Sequence, residues 1–134
     1  MDEIELERVP IKKFEDILAW KHARILARMV YRESLNSKMA RDFGFIDQFR
    51  RASVSVMNNI AEGYERESNA EFSRFLAIAK GSSGEVRSML YLAVDIGYVD
   101  SDAFMSLKSQ TDETIRVIVG LRRSVELRIK RSNP

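Results

Sequence analysis

The sequence predicts an all-α protein, an antiparallel up-down-up-down four-helix bundle. Three observations carry that prediction. Glycine and proline are scarce, at 6 and 2 of 134 residues, while strong helix formers abound. Apolar residues recur at alternating spacings of three and four over long stretches. The breaks between those stretches are short and hold cap and turn residues, which makes successive helices antiparallel neighbours. The length suits one domain, and 45% apolar residues is enough for a core.

Residues 1–13 read as an N-terminal arm. Pro10 disfavours helix at Val9, and Ile4, Leu6, Val9 and Ile11 are unevenly spaced. The bundle occupies residues 14–131, and 132–134 read as a frayed end. The first helix is expected from Phe14 or Glu15 to about Leu35, with Phe14, Leu18, Ile25 and Met29 as one stripe and His22 inside it. Asn36 to Phe43 is a connector. The second helix runs from about Phe45 to Glu62 on Phe45, Phe49, Ala52, Val56 and Ile60. Ala61-Glu62-Gly63 closes it, with Gly63 as the left-handed C-terminal residue. Ser68-Asn69-Ala70-Glu71 reads as a capping box.

The third helix, about 69–97, carries two adjacent stripes. One is Phe72, Leu76, Ala79, Ser83, Val86, Leu90, Ala93 and Gly97; the other is Phe75, Ile78, Ser82, Glu85, Met89, Leu92 and Ile96. Two stripes mean a helix touched on two sides, so self-association is expected. Gly81 and Gly84 inside it cost about 1 kcal/mol each relative to alanine, which close packing or a local irregularity would explain. Asp100, Ser101 or Asp102 caps the fourth helix, about Asp102 to Lys130, with Phe104, Leu107, Thr111, Thr114, Ile118, Leu121 and Val125 inward.

Several function classes are excluded. With no cysteine there is no disulfide and no thiolate metal site. No apolar run approaches the ~20 residues of a membrane span, and the acidic start lacks a signal region, so a cytoplasmic location is expected. Gly81-Ser82-Ser83-Gly84 lies in a helical pattern and lacks the lysine of a phosphate loop. His22 is the single histidine, and Glu15, Glu62 and Glu85 have no Glu-x-x-His partner of the di-iron kind. We therefore expect no enzyme, no metal, no cofactor and no small-molecule substrate.

The polar residues of the middle stretch are more informative. Gln48, Arg51, Asn59, Glu62 and Glu85 recur beside the apolar stripes, with Ser55, Ser82 and Ser83. They read as a satisfied network that fixes helix register, Arg51 partnering the carboxylates. An acid pair or cation site at Glu62 and Glu85 is the alternative. Charge is unevenly spread around a net +2. Asp2, Glu3, Glu5 and Glu7 face only Arg8 near the start, and Arg122, Arg123, Arg128, Lys130 and Arg131 face only Glu126 near the end. With Arg50, Arg66, Arg74, Lys80 and Arg87, these terminal cations are candidate phosphate contacts. The plainer reading is solvated helix faces and a dipole-matched helix end.

Three strings carry a resemblance. They are Phe14-x-Asp16-Ile17-x-x-Trp20-Lys21-x-Ala23, Gln48-x-x-Arg51-Ala52-x-x-Ser55-x-x-x-Asn59-Ile60-Ala61-Glu62-Gly63, and Phe72-x-x-Phe75-Leu76-x-x-Ala79-x-Gly81-Ser82-x-x-Glu85, followed by Gly97-Tyr98. Over about residues 12–125 the chain resembles the four-helix proteins encoded in intervening sequences of bacterial 23S rRNA genes, often labelled S23 ribosomal proteins. That family includes the accessory variability determinant of diversity-generating retroelements. The resemblance implies a homopentameric ring without enzymatic activity, and partnership with nucleic acid or a reverse transcriptase. The expectation is a non-catalytic homopentamer that binds nucleic acid, RNA rather than DNA. The alternative is a scaffold that recruits a partner polypeptide such as a reverse transcriptase.

Overall fold

The computed structural model describes residues 10–36 and 38–132; most of the expected arm and the last two residues lie outside that range. Its helices are α1 (Leu18–Glu33), α2 (Phe43–Glu65), α3 (Asn69–Asp95) and α4 (Ser101–Ser132). Each packs on the next and α4 closes back on α1, with α3 making the most extensive interfaces. This is the expected antiparallel four-helix bundle.

The first helix does not start at Phe14. Phe14–Asp16 is a 3-10 turn, and buried Ile17 is extended at φ −73°, ψ 119°. The cause is local. The Asp16 carboxylate accepts the backbone N–H groups of Lys12 (3.0 Å) and Lys13 (3.3 Å), which fastens the turn. Helix begins only at Leu18 and ends at Glu33, two residues short of Leu35.

The connector holds a second 3-10 turn, Met39–Arg41, and it is tied to the α3–α4 loop. Asn36 accepts the Met39 N–H (2.9 Å) and donates its amide to the Tyr98 carbonyl (2.8 Å). The Tyr98 hydroxyl donates to Asp42 at 2.6 Å. The other Asp42 oxygen caps α2 by accepting the Phe45 N–H. Those two bonds, the Tyr98 one foremost, hold the Asp42 carboxyl below the usual aspartate range.

α2 begins two residues before Phe45 and runs past Gly63 to Glu65. Gly63 is therefore no left-handed cap. A Cβ placed on it would stand 2.6 Å from the Phe75 Cβ and 3.2 Å from the Phe72 ring, so glycine is there to let α2 and α3 approach. The left-handed residue of this turn is Glu67, at φ 58°. Ser68 then caps α3 by accepting the Glu71 N–H, while the Glu71 carboxylate pairs with Arg74 at 2.7 Å. At the other end Gly97 is left-handed, φ 78°. The Tyr98 N–H reaches the Ala93 carbonyl and the Gly97 N–H reaches Val94, which is the Schellman pattern. Asp100 caps α4 by accepting the Ala103 N–H at 2.8 Å.

The core falls into two apolar clusters. One gathers Leu26, Val30, Phe45, Phe49, Leu90 and Leu107 near the Tyr98 end. The other gathers Ile17, Val56, Ile60, Phe72, Leu76 and Ile118 near the α2–α3 turn. Between them in sequence on each of three helices lie Ser53, Ser83, Thr111 and Thr114, all with zero exposure. Each hydroxyl donates to a carbonyl three or four residues back on its own helix, so the layer carries small side chains without unmet polar groups.

Gly63→Ala should cost about 1–3 kcal/mol by overpacking Phe75, read as a lower urea midpoint. An unchanged midpoint would mean that α2 and α3 do not approach this closely.

Candidate nucleic-acid interface

The expected polar network is not assembled. Gln48, Arg51, Glu62 and Glu85 are exposed and Asn59 is half-buried. Arg51 pairs with Asp47 along its own helix, its side chain 80% exposed, and Glu62 pairs with Arg66 at 2.8 Å. The polar contact that does join α2 to α3 is smaller. Ser55 and Ser82 share a hydroxyl–hydroxyl bond of 2.8 Å, and the Asn59 amide donates to the Ser55 hydroxyl and carbonyl. Among the described residues no group of three His, Asp or Glu side chains is placed to hold a metal. No helix among them is long and apolar enough to cross a membrane. His22 meets Gln110 at 3.2 Å, and burial lowers its pKa.

The ten cations singled out from the sequence divide into two groups. Five are engaged within the fold. Arg50 donates to the buried Ser34 hydroxyl at 2.8 Å and lies over the Tyr31 ring at 4.7 Å. Arg66 and Arg74 both cover the Phe75 ring, at 5.1 and 4.5 Å, while pairing with Glu62 and Glu71. Arg87 reaches across to Asp112 on α4; hydrogen bonds from Lys108 and then Arg87, Lys108 the larger, hold the Asp112 carboxyl below its usual range. Arg122 donates to the Ser73 carbonyl and hydroxyl and lies 3.4 Å from Glu126. The other five, Lys80, Arg123, Arg128, Lys130 and Arg131, are exposed and have no ion pair among the described residues.

A further set was not singled out from the sequence. Lys21, Arg24, Arg28 and Arg32 are exposed along α1, and among the described residues no acid pairs with them either. The signal was available, since residues 17–32 contain no aspartate or glutamate. α3 also presents a mostly uncharged outer face. Ile78, Leu92 and Ile96 are 41%, 50% and 47% exposed. A Cβ at Gly81 or Gly84 would meet nothing within 4 Å, and α3 runs through both without a break. Neither packing within the chain nor an irregularity accounts for these two glycines.

The model of the 23S rRNA-intervening sequence protein family matches residues 15–120, all four helices up to the basic end of α4. A crystal structure at 1.70 Å of a protein of unknown function from the S23 ribosomal protein family of Bacteroides thetaiotaomicron is similar in fold, with a TM-score of 0.71. It is 22% identical, over 78% of this chain and 98% of that one. No curated protein matches. Neither the family nor the solved protein is described as an enzyme.

Ser55→Ala should lower stability by about 1 kcal/mol, since it leaves Ser82 and Asn59 short of a partner. Glu85→Ala should change it by less than about 0.5 kcal/mol, as an exposed substitution does. Paired urea unfolding curves check the order; the reverse order would place Glu85, not Ser55, at the α2–α3 contact.

Proposed function

The chain belongs to the family of 23S rRNA-intervening sequence proteins, and on that premise we propose that it is a non-catalytic, cytoplasmic RNA-binding protein that works as a homopentameric ring. The observation that carries the RNA reading is the set of exposed cations without acid partners among the described residues, Arg123, Arg128, Lys130 and Arg131 at the end of α4 with Lys80 on α3. Cations held in intramolecular pairs offer a phosphate little, because the internal acid competes. Unpaired ones release counterions on binding and give a steep salt dependence. A ring of identical chains repeats a modest patch around its circumference, so the field grows without any change in the monomer.

The assembly reading rests on the outer face of α3. Ile78, Leu92 and Ile96 are half-exposed, and Gly81 between them leaves open space where a side chain would stand. A second copy's helix would cover that apolar stripe and fill that space. The same stripe could instead receive a partner polypeptide, the scaffold reading, and the mass in solution separates the two.

Binding of labelled structured RNA should be measured at two salt concentrations, with mass determined on the same sample. Tight binding that weakens steeply with salt is expected. The charge reversals Arg128→Glu, Lys130→Glu and Arg131→Glu together should lower affinity at least tenfold (~) at low salt; unaltered affinity would remove the α4 end from the interface. Gly81→Leu should leave the helical content intact and reduce the mass. A monomeric wild-type chain would refute the ring.

A further inference from the structure

The cation row on α1 is the least expected feature of the surface. Lys21, Arg24, Arg28 and Arg32 fall, at 3.6 residues per turn, within one stripe about 80° wide and about 16 Å long. Arg24, Arg28 and Arg32 stand four apart, the spacing at which like charges weaken a helix. Lys21 sits in the first turn, where the helix dipole disfavours a cation, and no acid occupies that turn. Asp16 lies close enough to feel the Lys21 charge, but its carboxylate is bonded to the Lys12 and Lys13 N–H groups. A face made only for solvation usually alternates signs, as α4 does with Lys108 and Asp112 or Arg122 and Glu126. Among the described residues no acid relieves this repulsion, which leaves the face open to an external anion.

The flank of this stripe facing α2 is aromatic. Arg24 lies 5.7 Å over the Trp20 ring, and Arg50 of α2 covers one face of Tyr31. Tyr31 is 44% exposed and forms one wall of an open groove of about 540 Å³. The other wall is α2, with Asn58, Asn59 and the Asp47–Arg51 pair, which is neutral as a pair. The groove thus offers a π surface, a guanidinium plane and side-chain amides beside a row of exposed cations.

We infer that this face of α1 binds a single nucleic-acid strand, with successive phosphates on Lys21, Arg24, Arg28 and Arg32 and an unstacked base in the groove at Tyr31. The inference rests on the RNA-binding reading above and gives it a second, separate surface. A duplex would use the cations but hides its base faces from the ring. A single strand uses both, in the manner of stacking platforms beside basic grooves. An anionic membrane fits less well, because the apolar face of α1 (Ala19, Ala23, Leu26, Val30) is buried in the bundle and cannot enter lipid.

The test uses the full chain, a labelled oligouridylate, duplex RNA of equal length, and vesicles of phosphatidylserine and phosphatidylcholine. Wild type should prefer the single strand to both. The triple variant R24Q/R28Q/R32Q should bind it at least tenfold (~) more weakly at low salt, with the log–log salt slope shallower by about 2, near 0.7 per lost phosphate contact. Its melting temperature should hold or rise, since like charges are removed. Tyr31→Leu should weaken single-strand binding with the slope unchanged, and Tyr31→Phe should keep it. A triple variant with the wild-type slope overturns the α1 site while RNA binding through α4 stands. A wild-type chain that binds none of the RNAs overturns both. Preference for vesicles or for duplex overturns the single-strand assignment.

Discussion

The bundle depends on a layer of small hydroxyl side chains at its waist. Ser53, Ser83, Thr111 and Thr114 are wholly buried, and apolar clusters lie on either side. A hydroxyl in that position is tolerable only if its hydrogen bond is met. Each here returns to a carbonyl of its own helix. The helices can therefore close on one another at the waist with little bulk between them. The one specific polar bond between α2 and α3 then sits at the rim, Ser55 to Ser82, and one turn of Gly63 against Phe75 completes the approach. Those two contacts set the register of the α2–α3 interface, which is as extensive as α3–α4, and the loops at the opposite end are tied to one another through Asn36, Asp42 and Tyr98.

What was legible in the sequence was what is decided within a few residues. Ser68 and Asp100 as caps, and the helix end at Gly97, are local chemistry and are found as expected, except that the Glu71 carboxylate turns to Arg74 and leaves the expected capping box at Ser68 half made. Gly63 shows the limit. Ala-Glu-Gly at the end of an apolar stripe has the form of a helix stop, and nothing nearby in sequence says that a phenylalanine twelve residues on will occupy the space of its side chain. Continuation of the stripe from Ile60 to Tyr64 was the available hint. Phe14 misled for the complementary reason. The apolar period runs through it unbroken, but the Asp16 carboxylate takes the preceding N–H groups and forces a 3-10 turn.

The supposed Arg51–Glu85 partnership failed on phase rather than on level. With Ser55 facing Ser82 and Gly63 facing Phe75, antiparallel counting does bring Arg51 and Glu85 to nearly the same height. Their positions around each helix turn both to solvent, where Arg51 finds Asp47. Height along a helix can be counted from sequence. Rotation about it is settled by which stripe packs inward, and α3 had two candidates. The inner stripe took Leu76, Ala79, Val86 and Leu90, which left Ile78, Gly81, Glu85 and Leu92 facing outward.

Charge was legible as a sum and not as an arrangement. A net +2 suggests a nearly neutral surface, yet neutrality is confined to α2, α3 and most of α4, where acids three or four residues away hold the arginines. Among the described residues of the four helices the cations left over, Lys80 on α3 apart, are on α1 and at the end of α4, and the antiparallel fold brings these two regions together. Arg128 lines the same cavity as Asp16, Ile17 and Leu18, at the start of α1. The carboxylate at that junction is already bonded to backbone, so it interrupts the positive surface less than a free one would. The topology, more than the composition, thus sets the unpaired cations at the end of α4 near the first turn of the α1 row, as two separate basic surfaces of a weakly basic chain.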